Sequence, residues 1–341
     1  MTVHVVLPGG VDDVTAPSGG NVYDRRVCAG LGVHEVAVGG AWPRPGANVR
    51  AELAAVLAGF PDGDVVLLDG LVACGVPEVV GPQAGRLRLA VLVHLPLADE
   101  TGLTPAAAAE LDAAERAVLR AVDAVVATSP WAARRLVGHH GLAPERVHTV
   151  VPGTDPAPLA PGSGGSGRLL CVASVTPRKG HDLLVQALAT VADLPWTLDC
   201  VGPLGHAEHV ARVRELAERH GLADRVRLTG PLTGEPLHRA YAAADLFVLA
   251  SRAETYGMVV TEALARGLPV LASAVPDALG DGGLLLPPGD AGALAAALRR
   301  WFTDEDTRRE LRGSALRRRG ALPTWDEAVR DLGRVLASLR G

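Results

Sequence analysis

The chain has 341 residues, too many for one ordinary hydrophobic core, so two domains of roughly 150 residues each are expected. Its 33 basic and 38 acidic residues are mixed along the chain and leave a net charge of −5, which excludes the basic field that nucleic acid or an anionic membrane surface would need. Hydrophobic residues make up 48% but aromatics only 3%, so the core must be built from Val, Leu and Ala, as in parallel sheets covered by Ala-rich helices.

The start, "MTVHVVLPGG", enters a strand without a basic leader, and no apolar stretch approaches the roughly 20 residues of a membrane span. A cytoplasmic protein with no integral membrane segment is expected. Short β-branched runs then alternate with helical patterns: "VHVVLP", "HEVAVGG", "DVVLLDG", "RLAVLVHL", "DAVVATS" and "RVHTVVPG". The longest helical stretch between them is "TPAAAAELDAAERAVLRAV", where Thr104 can cap and Pro105 suits the first position. The pattern stops at "GTDPAPLAPGSGGSG" (Gly153 to Gly167), a Pro/Gly/Ser linker without periodicity. It resumes with "RLLCVAS", "TLDCVG", "RVRLTG", "LFVLAS", "LPVLAS" and "GLLLP". Trp325 opens a last amphipathic helix, expected to return to the first domain.

This alternation predicts an α/β protein of two Rossmann-like, doubly wound parallel sheets facing a cleft. Residues 1–155 would form the first domain, joined by the last helix at about 322–341; 156–167 would be the linker and 168–321 the second domain. Cys28, Cys74, Cys171 and Cys200 have no CxxC spacing and read as buried thiols. The Asp12–Asp13 and Asp62–Asp64 carboxylates read as solvated turns, and no metal site is expected. His4, His139, His140, His148, His206, His209, His220 and His238 read as structural or solvated, and the arginine run near the end as a solvated helix face.

Glycine-rich or polar loops follow the strands of both halves: Pro8 to Asn21, His94 to Pro96, Ser174 to Gly180, Gly202 to Gly205, Gly230 to Thr233 and "SRAETYG". In "SRAETYGMVVTEALARG" a helix beginning near Gly257 would aim the free N–H groups of Gly257, Met258 and Val259 at a phosphate. Glu262, about a turn in, could accept from the hydroxyls of a ribose, and Glu254 from a second polar group; alternatively Glu262 merely pairs with Arg266 at i+4. Lys179, at the start of another helix, could lie over a pyrophosphate as a point charge, with Arg178 beside it or in solvent. Gly19 and Gly20 offer backbone N–H groups to the same phosphates.

These segments resemble glycosyltransferase family 4, retaining enzymes of the GT-B fold. "SRAETYGMVVTEALARGLPVLAS" is similar to the family's Glu-x7-Glu region, "VASVTPRKGHDLLVQAL" to its phosphate-binding Lys-Gly segment, and "VRLTGPLTGEPLHRAYAAADLFVLAS" to its base-binding loop. "GGLLLPPGDAGALAAAL" is similar to its closing motif; in the first half the likeness rests on "PSGGN", "VHLP", "ATS" and "VVPGTD". The resemblance implies a nucleotide-sugar site in the second domain and an acceptor site mainly in the first. It places Glu262 on the ribose, Glu254 on the donor sugar, Lys179 on the diphosphate, and Gly257, Met258 and Val259 with Tyr256 around sugar and phosphate. Gly230 and Leu232 would border the base, Gly20 the phosphates, and His94 the reaction centre; Gly202 is a further donor-site candidate, and His94, Lys179 and Glu254 are the catalytic candidates. Ser174 and Pro152 stand where the family commonly has Arg and Asn; either Arg178 or Arg252 supplies the second cation, or leaving-group stabilisation is weaker, or the donor differs.

The reaction implied is retaining transfer of a sugar from a nucleoside diphosphate, UDP-sugar first, to a hydroxyl of a small or medium acceptor. No cofactor beyond this co-substrate and no metal is expected. An epimerase or hydrolase on the same fold would share the donor loops, and a non-catalytic nucleotide-binding module would suit the missing arginine.

Overall fold

Each of the β-branched runs forms a strand, and every strand pairing is parallel. The structure, a computed structural model, describes residues 3–13, 17–100 and 102–340; residues 14–16 of the expected Pro8 to Asn21 loop lie outside them. The chain divides into two units, the first including 18–153 and 323–340 and the second including 154–322.

In the first unit β1 (Val3–Pro8), β2 (His34–Val38), β3 (Val65–Asp69), β4 (Arg88–Val93), β5 (Ala124–Ala127) and β6 (Val147–Thr149) form one sheet in the order β2-β1-β3-β4-β5-β6. Alternate residues feed two cores, because successive side chains of a strand point to opposite faces. Val6, Val66, Leu68, Val91 and Val125 pack on one side, and Val5, Leu7, Val65, Leu67 and Val126 on the other. The second core is closed by the helices Gly19–Leu31 and Trp325–Ser338, the latter contributing Ala328, Leu332 and Leu336. Thr324 and Glu327 form a capping box at its start, so the last helix returns to the first unit as expected.

In the second unit β7 (Arg168–Val172), β8 (Thr197–Val201), β9 (Val226–Gly230), β10 (Leu246–Leu249), β11 (Val270–Ser273) and β12 (Leu284–Leu286) run in the order β12-β11-β10-β7-β8-β9. From β7 the chain winds outward through β8 and β9, then returns to the other side of β7 with β10. That reversal opens a crevice beyond the carboxyl ends of β7 and β10, where doubly wound sheets take ligands. The first unit has the corresponding reversal between β1 and β3.

The Gly153 to Gly167 stretch has no helix or strand, and its main chain is held by bonds: Ala160 N–H donates to Arg266 O, Gly162 N–H to Ala242 O, and the Asp245 carboxylate accepts from Ser163 and Arg168. Two expectations are corrected. Asp64 is buried rather than solvated, because it accepts a 2.9 Å bond from His4. The arginine run is only partly a solvated face. On the helix Glu305–Arg319, Arg308, Arg318 and Arg319 reach main-chain carbonyls of Trp301, Asp277 and Ala265 respectively. The four cysteines are buried free thiols, Cys171 and Cys200 facing each other across β7 and β8. Among the described residues no helix is long and apolar enough to cross a membrane.

Candidate active site

In the second unit the loops after β7 and β10 bring the charged candidates together. After β7 a short turn, Pro177–Lys179, ends at Gly180, whose φ is +67°. A Cβ there would lie 2.0 Å from Ala250 O, so only glycine lets the Lys179 turn seat against the β10 loop. Lys179 Nζ then bonds Glu254 Oε1, Ser251 Oγ donates to the same oxygen at 2.7 Å, and Arg178 Nη1 stands 3.6 Å from Oε2. Glu254 is 8% exposed. Burial pushes its carboxyl up, but the Lys179 and Arg178 charges and the bonds from Lys179 and Ser251 outweigh it and hold it below the usual range.

The helix Met258–Ala265 starts at Gly257, whose φ of +95° is open only to glycine, and no side chain caps it. Its first amides therefore lack a side-chain acceptor, the arrangement by which helix starts can take an anion. Glu262 is not held as an ion pair with Arg266. Its carboxylate accepts a 2.8 Å bond from the Tyr241 hydroxyl, while Arg266 donates to the Glu262 main-chain carbonyl and stacks on the Tyr241 ring at 4.4 Å. Burial raises the Glu262 carboxyl, against the lowering effects of Tyr241 and Arg266. Arg252 is engaged elsewhere: it forms a two-pronged pair with buried Asp182 at 3.0 and 2.8 Å and donates to Pro177 O. Arg178 gives one bond to Ala253 O, and its buried Nε has no partner. Of the two candidates for the second cation, Arg178 is the one beside Lys179 and Glu254.

The remaining residues fall around the same end of the sheet. Gly202 follows β8, where a Cβ would meet Ala173 O at 2.2 Å, Gly230 ends β9, and Leu232 is half-buried beyond it. Ser174 lies in the β7 loop, half-buried. Tyr256 turns inward; burial, helped by Asp277 and opposed by the Arg318 charge, pushes its hydroxyl up to about 12. Met258 and Val259 are half-buried at the helix start.

In the first unit Gly19 and Gly20 begin the helix after β1, and Ser18 Oγ accepts the Asn21 amide. Gly20 lies against His94, which follows β4: a Cβ there would be 3.2 Å from the imidazole. The sequence reading missed what His94 meets. Its Nε2 is 2.8 Å from Asp24 Oδ1 and 3.4 Å from Asp69 Oδ2, both buried. Burial would strip the imidazole of its proton, but Asp24 and then Asp69 outweigh it and raise His94 to about 9. Burial and the neighbouring Asp24 raise Asp69 to about 7. The signals existed: Asp69 ends the run "DVVLLDG", and Asp24 follows Gly20 by four residues, one helical turn. Further along, Glu115 accepts from the Leu97 amide and from His140, tying the loop after His94 to the helix Pro105–Ala121.

Two groups of described residues bring three nitrogen or oxygen donors close together, Asp24–Asp69–His94 and Asp112–His139–His140. In the first His94 Nε2 bonds Asp24, in the second His139 Nε2 bonds Asp112, and neither group is assigned to a metal.

Two family models match the chain, one described as Glycosyltransferase Family 4 over residues 2–158 and one as Glycosyl transferases group 1 over residues 166–304. The D-inositol 3-phosphate glycosyltransferase 1 of Catenulispora acidiphila is 33% identical over 92% of this chain and 82% of its own. The D-inositol 3-phosphate glycosyltransferase of Geodermatophilus obscurus is 35% identical over 64% of this chain and 53% of its own. Among solved structures, a sucrose-phosphate synthase from Thermosynechococcus elongatus superposes with a TM-score of 0.80 at 23% identity, over 99% of both chains. Anabaena HepE in complex with UDP-glucose superposes at 0.76 with 18% identity, over 99% of this chain and 100% of that one. These structural likenesses bear on the fold, which is GT-B.

Proposed function

From the premise that the chain belongs to glycosyltransferase family 4 and is a glycosyltransferase, we propose that it moves a sugar from a nucleoside diphosphate, UDP-sugar first, to an acceptor hydroxyl with retention. The observation that carries this is the joining of Lys179, Arg178 and Glu254 beside the uncapped helix at Met258, all at the switch point of the second sheet. Two cations and a row of amides suit a diphosphate; a carboxylate among them suits the hydroxyls of the sugar. Glu262 takes the ribose hydroxyls with Tyr241 behind it, and Gly202, Gly230 and Leu232 border the base.

The chemistry proposed is front-side attack, in which the departing diphosphate takes the proton of the acceptor hydroxyl. Lys179, Arg178 and the amides of Gly257, Met258 and Val259 then stabilise the charge that develops on the leaving group. The charge on that group is met by side chains and amides, so chelation of divalent metal should leave turnover unchanged. The names of the relatives make a phosphorylated polyol the first acceptor to try.

The test is product analysis with UDP-glucose and other nucleotide sugars, with and without inositol phosphate and simpler polyols. A glycoside whose anomeric configuration matches the donor supports the proposal. Inversion, or release of free sugar at the same rate without acceptor, would overturn it.

A further inference from the structure

His94 is gripped through one nitrogen only. Nε2 meets Asp24 Oδ1 at 2.8 Å and Asp69 Oδ2 at 3.4 Å, whereas none of the described residues bonds Nδ1. The Asp24 carboxylate is 1% exposed and the His94 side chain 20%, so the ring has a buried edge and an accessible one. Asp24 Oδ2 has no hydrogen-bond partner, His94 bonds Oδ1, and the other group beside this carboxylate among the described residues is the Asp69 carboxyl, itself raised by burial and Asp24. A buried carboxylate so poorly served is costly unless its donor is charged.

We propose that Asp24 is a positioning residue for the transfer reaction: by holding Nε2 of His94 it keeps the ring an imidazolium and turns Nδ1–H outward as a charged donor to the sugar being transferred. The proposal rests on the reading of His94 as a contact to that sugar. Imidazole bonded through one nitrogen to a carboxylate has its tautomer fixed, and the second proton depends on the surrounding charge. Here two elements face the ring. The helix after β1 presents Asp24, the Gly20 backbone and the edge of Tyr23, and the end of β3 presents Asp69. Tyr23 adds no charge, since burial holds its hydroxyl neutral and it donates to Val150 O. The helix start and burial oppose the imidazolium; the two carboxylates favour it and prevail. A charged Nδ1–H donates to a hydroxyl oxygen of the sugar and cannot accept a proton, so His94 is no general base. The acceptor's proton leaves with the diphosphate, consistent with front-side attack.

The experiment is long-range proton–nitrogen NMR on the full chain labelled in its histidines, from pH 5 to 10, with His94 assigned through His94→Gln. Wild type should show both ring nitrogens of His94 protonated through pH 8, with a midpoint near 9. Asp24→Asn should lower that midpoint by at least about one pH unit, a tenfold change in proton affinity. The same variant should lose kcat on UDP-glucose while its affinity for UDP stays within twofold. A wild-type midpoint at the ordinary value near 6.5, or an unshifted midpoint in Asp24→Asn, would overturn the proposal. Should Asp24→Asn not fold, the wild-type titration and Asp69→Asn, which should also shift the midpoint down, carry the same decision. These spectra need no ligand and so stand apart from the donor reading. That reading fails separately if UDP-glucose moves the Nδ1 resonance no further than UDP alone.

Discussion

Replacing Glu254 by Gln should tighten the binding of bare UDP while nearly abolishing transfer. In the free protein Lys179 is already bonded to Glu254, so a diphosphate must compete with an internal carboxylate for that ammonium. A hydrogen bond between charged groups contributes about 1.5–3 kcal/mol, a bond to a neutral amide about 0.5–1.5. The glutamine would therefore release Lys179 at about 1–1.5 kcal/mol less cost, and UDP should bind about five- to tenfold more tightly. Loss of the repulsion between Glu254 and the phosphates acts in the same direction. The donor sugar, however, loses its charged acceptor, which should cost about 2–4 kcal/mol in the transition state, or about 30- to 1000-fold in kcat/KM. Titration calorimetry with UDP, followed by turnover of UDP-glucose, reads both effects. Lys179→Ala supplies the opposite control, weakening UDP by about 1.5–3 kcal/mol. If Glu254→Gln weakens UDP as much as Lys179→Ala does, the competition described here is wrong.

Glu262→Gln should lower the affinity for UDP and leave stability at neutral pH unchanged or higher. The Glu262 carboxyl is raised in the folded protein, so its stabilising contribution is full below the unfolded glutamate value and is lost as pH rises through the folded one; thermal melts from pH 4 upward should show that slope in wild type and not in the variant. Arg178→Ala and Arg252→Ala should part company. The first should weaken UDP severalfold at nearly constant Tm. The second should leave UDP affinity unchanged but destabilise by about 1–2 kcal/mol, modest because its guanidinium is 37% exposed and screened. Equal effects on UDP would return Arg252 to the site.

The central strands were legible because they are buried on two faces and therefore read as short unbroken apolar runs, as "VVLLD" and "LFVL" do, while outer strands such as "HEVAV" and "VRLTG" are partly exposed and carry polar residues. The Lys179 and Glu254 loops were legible too, since glycine at positive φ and a charge beside it mark a turn built for close approach. What the linear order concealed were partners distant along the chain. Tyr241 lies 21 residues before Glu262 and looks like an ordinary core aromatic until its hydroxyl is seen to hold the carboxylate. Asp24 and Asp69 come 70 and 25 residues before His94. They meet only because β3 and β4 pair directly and the helix after β1 lies beside them. The same holds for Asp182, which decides what Arg252 is free to do.

The closing of the first unit by Trp325–Ser338 has a consequence for biosynthesis. During translation the sheet of β1–β6 emerges early but one face is covered only in part, by the helix Gly19–Leu31, with Val5, Leu7, Val65 and Leu67 awaiting Ala328, Leu332 and Leu336. The whole of 154–322 must be made in between, which at ordinary elongation rates takes roughly ten to thirty seconds. The second unit, contiguous in the chain, can complete itself first, so the order of maturation runs opposite to the order of synthesis. For that interval the nascent first unit displays an apolar sheet surface of the kind chaperones hold, and a stop codon near residue 323 would cripple the part of the protein made earliest.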